Sequence, residues 1–170
     1  RLRARVGKML GDEAQVKDGL GCLQSIYSKD PQYAPAAQAY AMALESTGHR
    51  PQALKVLVDY TKARPEDGRM RTIYAQVLQN EGKLDDAVVQ LKQVVEQRPQ
   101  DSQVLSALTE LYRRLQRFDE AEQWANRLLE GGGPAQVKAA MHEVQLQAAR
   151  GHIEAALEIV RRGSKAALKS

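Results

Sequence analysis

The three histidines of this sequence are the residues whose type and spacing most resemble those of metal ligands. The segment 142–146, His-Glu-Val-Gln-Leu, begins like the helix of a zinc protease, in which two histidines four residues apart bind the metal. Leu146 stands where the second histidine would lie, so one ligand on that helix face is missing. His49 and His152 have no histidine or cysteine at ligand spacing. The sequence therefore predicts neither a metal site nor a metal cofactor.

Two further features bear on phosphate binding and acid–base chemistry. The run Gly131-Gly132-Gly133-Pro134 is glycine-rich, but no Gly-Lys-Ser/Thr follows it, and proline lacks an N–H that could bind an anion. We interpret it as a hinge between repeats. The acidic pairs Asp85-Asp86 and Asp119-Glu120 fall at predicted helix starts, where negative charge stabilises the helix dipole. We therefore predict no catalytic residue.

Bulk composition narrows the class of protein. The chain has 170 residues, of which 43% are hydrophobic. No apolar run approaches the ~20 residues that cross a bilayer, so we predict no transmembrane segment. Cys22 is the single cysteine, which rules out an intramolecular disulfide. We interpret it as a small buried hydrophobe, with a reactive thiol as the alternative.

The net charge of +4 is unevenly distributed, because the basic excess lies in residues 1–10 and 150–170. A helical repeat that binds nucleic acid should concentrate lysine and arginine along its binding face. The observed distribution argues against that function. We interpret the basic ends as solvated, with a docking patch for an acidic partner or a membrane surface as the alternative.

Prolines and small residues recur at a fixed spacing. Pro31, Pro65 and Pro99 stand 34 residues apart, and Pro134 follows one residue late. The same spacing relates Gly48 and Gly82; Ala53, Ala87 and Ala121; Tyr40 and Tyr74; and Leu44, Leu78 and Tyr112. A period of this length is typical of stacked units of two antiparallel helices.

In its details the pattern resembles the tetratricopeptide repeat family. Residues 34–67 carry it at Tyr40, Ala41, Leu44, Gly48, Ala53, Leu57, Tyr60 and Pro65. Residues 68–101 carry it at Tyr74, Ala75, Leu78, Gly82, Ala87, Leu91, Val94 and Pro99. The third repeat has Gln116 where glycine is expected. Gly19 and Glu143 interrupt the pattern near the two ends, where repeats are commonly atypical.

The resemblance implies an all-α fold, a right-handed α-solenoid of antiparallel helix pairs (the tetratricopeptide superhelix) with about ten helices. We expect these near residues 1–10, 14–29, 34–47, 50–63, 68–81, 84–97, 102–115, 118–130, 135–149 and 152–162. We expect a single domain over residues 1–170. Its parts are a degenerate repeat (1–33), repeats at 34–67, 68–101 and 102–136, a degenerate repeat (137–163) and a tail (164–170).

The chain reads as a fragment of a larger bacterial protein. It has no initiator methionine and no signal-peptide pattern, and Arg1 already lies in a helical register. Similar arrays often belong to envelope or secretion assembly proteins, and we expect the same context here. The compartment stays open between the bacterial periplasm or envelope and the cytoplasm.

In tetratricopeptide folds the first helix of each pair lines a concave groove, and the resemblance implies that this groove binds a peptide or helix of a partner. The corresponding side chains are mostly polar: Gln38, Met42, Glu45, Arg69, Thr72, Gln76, Gln79, Gln103, Ser106, Glu110 and Arg113. Glutamine amides both donate and accept hydrogen bonds, so a row of them suits an extended backbone. A merely solvated helix face is the alternative.

One subtype of the family can be set aside. Chaperone-binding members grip a terminal carboxylate with lysine, arginine and asparagine, because a buried carboxylate needs charged donors. The corresponding residues here are Gln38, Met42, Ile73, Gln103 and Ala107. None of them provides that charge, so a carboxylate-clamp cochaperone is not expected.

Trp124 admits two interpretations. It precedes Ala125, which occupies the position of a large buried residue, so the indole either swings inward to fill that volume or lies on the outer face. An exposed tryptophan often anchors a partner.

We predict a non-enzymatic protein–protein interaction scaffold without cofactors, part of a larger assembly. A self-association module is the second hypothesis, and an RNA-binding helical repeat is the third.

Overall fold

The computed structural model describes the backbone of residues 2–131 and 134–167 and the side-chain surroundings of residues 15–131 and 136–160. Within these ranges the regular secondary structure is all α-helical. The helices are α1 (Leu2–Lys29), α2 (Ala34–Ser46), α3 (Arg50–Ala63), α4 (Gly68–Asn80), α5 (Leu84–Gln97), α6 (Ser102–Arg114), α7 (Phe118–Leu129), α8 (Pro134–Ala149) and α9 (Ile153–Ala167).

The predicted all-α class of paired helices is confirmed, and α2 to α8 begin and end within one residue of the predicted bounds. The last helix was predicted at 152–162, but α9 continues to Ala167, so the first residues of the predicted tail at 164–170 are helical. The rest of that tail and part of the hinge predicted at 131–134 lie outside the described residues. The basic side chains of residues 1–10 also lie outside them.

At the start of the chain the predicted pair of helices, 1–10 and 14–29, was wrong, because one helix of 28 residues replaces it. In the next two repeats the first helix stops at Gly48 and Gly82, whose φ angles of 81° and 75° are left-handed. The position 34 residues before Gly48 is Ala14. A left-handed conformation costs a residue with a Cβ about 1–2 kcal/mol, so α1 continues through this point.

The third repeat makes the same turn without glycine. Gln116 adopts a φ of 59°, the one positive φ of a non-glycine residue in the described chain. Its backbone N–H donates to the Arg113 carbonyl (3.0 Å), and the N–H of Arg117 donates to the Tyr112 carbonyl (2.9 Å). These two hydrogen bonds pair the last carbonyls of α6 and so hold the turn.

One compact unit spans Arg1–Glu81. In it α2 packs against α1, α3 and α4, and α3 packs against α4. On α2 the buried residues Ala37, Ala41 and Leu44 lie at i, i+4 and i+7, which is one helix face. Small side chains at this contact allow a close helix approach, and Ala53 of α3 is fully buried as well.

Cys22 lies in the same unit but not in its core. The cysteine is exposed on α1, so its interpretation as a buried hydrophobe was wrong. The reason is positional, because α1 packs chiefly against α2 and presents most of its surface to solvent between residues 15 and 29.

The second compact unit spans Gly82–Ser170. Its consecutive helices α5 to α9 pack in order, and α6 also packs against α8. Its fully or almost fully buried side chains include Leu91, Leu105, Leu108, Leu111, Tyr112, Ala121, Leu128 and Leu146. Thr109 is also fully buried, and its hydroxyl donates to the Leu105 carbonyl at 3.0 Å. The buried hydroxyl therefore costs little, because it is hydrogen-bonded.

Candidate protein-interaction surfaces

The first candidate surface is formed by α2 and α4, and we call it the α2–α4 face. It carries Gln38, Met42, Glu45, Arg69, Thr72, Gln76, Gln79 and Asn80, and none of these side chains belongs to the core. Seven of them are residues predicted from the sequence. The packing of α2 on α4 places them on one unit of the fold.

A chain of polar side chains connects the two helices of this face. The Asn80 side-chain amide donates to the Glu45 carboxylate of α2. The Gln76 amide donates to the Asn80 side-chain oxygen at 3.2 Å. Asn80 was not predicted, although its place one helical turn after Gln76 is the spacing at which two side chains on a helix meet. Hydrogen bonds therefore link the side chains of Glu45, Asn80 and Gln76 in series before a partner binds.

The other groups of the α2–α4 face differ in how far they are engaged by the described residues. The Arg69 guanidinium forms no ion pair there, and the Gln79 amide makes no side-chain hydrogen bond. Met42 is 51% exposed, and its sulfur accepts from the Gln38 amide at 3.6 Å. Thr72 is less available, because its hydroxyl already donates to the Gly68 carbonyl at 2.9 Å.

The second candidate surface, the α6–α8 face, belongs to the other unit. The Glu110 carboxylate accepts two hydrogen bonds from Arg113, at 2.8 and 2.6 Å. This pair raises the pKa of the Arg113 guanidinium and neutralises its charge locally. Ser106 is engaged as well, because its hydroxyl lies 2.7 Å from Nε2 of His142. Among the predicted residues of this face, Gln103 is exposed, whereas Ser106, Glu110 and Arg113 are partly buried.

His142 is a residue of this face that the sequence did not reveal. Its ring is partly buried where α8 packs on α6, and this burial lowers the pKa of the imidazole. Arg113 and Lys138 lower it further, whereas Glu110 raises it. His142 thus acts as a neutral hydrogen-bonding link between two helices, and among the described residues it belongs to no group of three or more potential metal ligands.

Apolar side chains extend the α6–α8 face along α8. Val137 and Met141 are 63% and 59% exposed, one helical turn apart. The repeat spacing in the sequence could have predicted Met141 as a residue of this face. It follows Ser106 by the 34 residues of one repeat plus the one residue inserted in the third repeat. The face is therefore polar on α6, and on α8 it adds two exposed apolar side chains to His142.

Trp124 lies on the surface of α7 rather than in the core. The neighbouring Ala125 is buried, whereas the indole is partly exposed and has the Arg127 guanidinium 5.5 Å from its ring centroid. The indole lines a cleft of about 450 Å³ between α5 and α7. The interpretation of Trp124 as a core residue was therefore wrong.

The acidic pairs occupy the predicted helix starts. Asp85 and Asp86 lie in the first turn of α5, and Asp119 and Glu120 in that of α7. Within the described ranges, no group of three or more potential ligands is placed to hold a metal ion. No described helix has the length and apolar character needed to cross a membrane.

A match to a family model shows to which family the chain belongs. The tetratricopeptide repeat model matches residues 12–77 and 78–143, which is most of the chain. The chain therefore belongs to the tetratricopeptide repeat family. Proteins of this family are non-enzymatic interaction scaffolds, and this chain is a protein-interaction scaffold of the same kind. No curated protein sequence matches it.

Solved structures share the fold at low sequence identity. A tetratricopeptide repeat protein from Parabacteroides merdae ATCC 43184 is 17% identical with a TM-score of 0.77, over 91% of this chain and 61% of that one. The MamA AMB-1 structure is 21% identical with a TM-score of 0.72, over 94% of both chains. MamA 41-end from Desulfovibrio magneticus RS-1 is 16% identical with a TM-score of 0.73, over 96% of this chain and 92% of that one.

Proposed function

We propose that the chain binds a segment of a partner protein on its α2–α4 face, within a larger assembly or envelope protein. The observation that carries this proposal is the ordered chain of Glu45, Asn80 and Gln76, which lies beside the exposed Met42. Side chains already held in place lose little conformational entropy when a partner binds.

The chemistry of the α2–α4 face indicates the kind of segment that fits. The Gln79 amide can donate to and accept from a peptide backbone without demanding a particular side chain. Met42 offers an adaptable apolar contact. Arg69 adds a cation without an ion-pair partner among the described residues. We therefore expect an extended segment with an apolar side chain and at least one carboxylate.

Site-specific photo-crosslinking tests the proposal on the full chain. Met42 is replaced by p-benzoylphenylalanine, and the crosslinked peptide from a lysate of the source cell is sequenced by mass spectrometry. We expect one defined partner segment. Because two neutral hydrogen bonds contribute ~0.5–1.5 kcal/mol each, Gln76→Ala with Gln79→Ala should weaken binding of that segment about tenfold.

A matched control separates the α2–α4 face from the rest of the unit. Lys55→Ala with Lys62→Ala changes two exposed residues of α3 and should leave the affinity unchanged. Arg69→Glu should weaken an acidic segment more at low salt than at high salt, because exposed charges are screened over ~10 Å at 0.1 M salt. Full affinity in both the glutamine double variant and Arg69→Glu would refute the α2–α4 face as the site.

Self-association is a second candidate, supported by a different observation. Ile153, Leu157 and Val160 are exposed on α9 at i, i+4 and i+7, so they form one apolar stripe. An exposed stripe of this kind gains free energy when a second copy covers it.

Light scattering over a range of protein concentrations tests self-association. If the stripe drives it, the wild-type mass should rise with concentration, and Leu157→Ser should remain monomeric. Glu154→Ser, on the same helix but outside the stripe, is the matched control. A monomeric wild-type chain at every concentration would exclude self-association. RNA binding, the third hypothesis, is tested by a filter-binding assay in which the dependence of affinity on salt concentration is measured.

A further inference from the structure

The cleft between α5 and α7 lies entirely within the unit Gly82–Ser170, and its lining residues belong to neither the α2–α4 face nor the α6–α8 face. Its apolar part is formed by Val95, Pro99 and the Trp124 indole, and its rim by Lys92, Glu96 and Arg127. Val95 is buried, whereas Lys92, Glu96 and Pro99 are exposed, so the cleft has an apolar floor open to solvent.

The repeat fold does not require an indole at this position. The residues one and two repeats earlier are Gln90 and Val56, and the same helix pairing forms around them. A large aromatic side chain left partly exposed keeps apolar area in water that a partner could cover. The presence of Trp124 therefore needs a reason other than helix packing.

Neither cation at the rim forms an ion pair among the described residues, although Lys92 lies close enough to Glu120 to help lower the pKa of that carboxyl. Arg127 contacts the Trp124 ring, and Nζ of Lys92 lies 5.8 Å from the centroid of the Tyr112 ring. A guanidinium over a ring face keeps its in-plane N–H donors available. The cleft thus combines an apolar floor with charged donors that can still bind a carboxylate.

We propose that this cleft docks a protein segment in which a bulky aliphatic side chain stands next to a carboxylate. The aliphatic group covers Trp124 and Val95, and the carboxylate accepts hydrogen bonds from Lys92 and Arg127. Glu96 on the same rim repels any second anion, a phosphate as much as a carboxylate, so its charge does not distinguish the two classes of partner. The choice of a protein segment over RNA rests on the apolar floor, which an aliphatic side chain covers and a sugar-phosphate backbone does not.

The experiment uses the full chain, because Trp124 is its only tryptophan and its fluorescence reports on the cleft alone. The probe is the blocked peptide acetyl-Gly-Leu-Leu-Asp-Glu-Gly-amide. One comparison peptide has Asn-Gln in place of Asp-Glu, and another has Ser-Ser in place of Leu-Leu. We expect saturable binding of the probe below ~5 mM and about tenfold weaker binding of either comparison peptide.

Charge variants locate the contact. Lys92→Gln with Arg127→Gln should reduce the affinity for the acidic probe to that of the Asn-Gln peptide and leave the latter unchanged. Arg114→Gln, an exposed cation of α6 outside the cleft, is the matched control and should change neither affinity. Circular dichroism verifies that each variant retains its helix content.

Three results would overturn the proposal. The first is the absence of a saturable fluorescence change up to ~5 mM probe. The second is equal affinity for the acidic and the Asn-Gln peptides. The third is displacement of the probe by an oligo-dT single strand that itself binds more tightly. Calorimetry with Trp124→Leu provides a second readout. This variant should bind the acidic probe about tenfold more weakly than Trp124→Phe, because leucine cannot replace the aromatic face.

Discussion

The Tyr60 hydroxyl donates a hydrogen bond to Oδ2 of Asp67 over 2.9 Å, and Oδ1 of the same carboxylate accepts from the backbone N–H of Met70 at 3.0 Å. One carboxylate therefore caps the start of α4 and ties it to the end of α3. Burial of the ring, followed by this hydrogen bond, raises the pKa of Tyr60 to about 12.

Tyr60→Phe should lower the free energy of unfolding by about 1–2 kcal/mol at neutral pH, because Asp67 loses a charge-assisted hydrogen bond but keeps its capping bond. Urea unfolding measures the change. Tyr33→Phe, at an exposed tyrosine, is the control and should have little effect. Equal stability of the two variants would show that the Tyr60–Asp67 bond contributes nothing.

The same pair predicts a loss of stability in alkali. The pKa of Tyr60 is higher in the folded than in the unfolded chain, so its contribution is complete below pH 10 and is lost as the pH rises toward 12. The difference between wild type and Tyr60→Phe should therefore shrink over this window. A difference that stays constant from pH 9 to 12 would contradict the assignment.

His142 predicts the opposite behaviour in acid. Burial lowers its pKa below 6.5, so the unfolded chain binds a proton more readily and stability falls as the pH drops below about 6.5. His142→Gln keeps a group able to bond Ser106 and should flatten this part of the stability profile. The measurement is urea unfolding between pH 7 and 5, and an unchanged slope in the variant would assign the effect to another group.

The turn at Gln116 predicts a stabilising substitution. Gln116→Gly should raise the free energy of unfolding by up to about 1 kcal/mol, because glycine adopts the φ of 59° without strain but loses more entropy on folding. Gln116→Ala keeps the strain and serves as the control. Thermal unfolding should therefore rank glycine first, and a ranking with alanine above glycine would contradict the prediction.

The close packing of the helices predicts a substitution that destabilises the fold. Ala121 is fully buried in α7, so Ala121→Leu should cost about 1–3 kcal/mol by overpacking. Gln123→Leu adds the same side chain at an exposed position of α7 and should be nearly neutral. Denaturant unfolding distinguishes them. Unchanged stability of Ala121→Leu would mean that the core around α7 has spare volume.

The repeat and its helix boundaries could be predicted because their causes are local. Gly48 and Gly82 stop a helix through their own backbone freedom, and alanines and leucines at i, i+4 and i+7 define a buried face whatever packs on it. The predicted residues of the α2–α4 face are at the surface for the same reason. Ala14 and Gln116 show the limit, because neither is glycine, yet α1 runs through the first position while a turn forms at the second.

The partnerships between side chains far apart in the sequence were decided by the tertiary structure alone. Asn80 reaches Glu45 across 35 residues of sequence, and His142 reaches Ser106 across 36. Whether Trp124 fills the core or lines a cleft depends on the space that α5 and α7 leave between them. Such contacts are set by distances between helices, and these distances arise from packing all the side chains at an interface together.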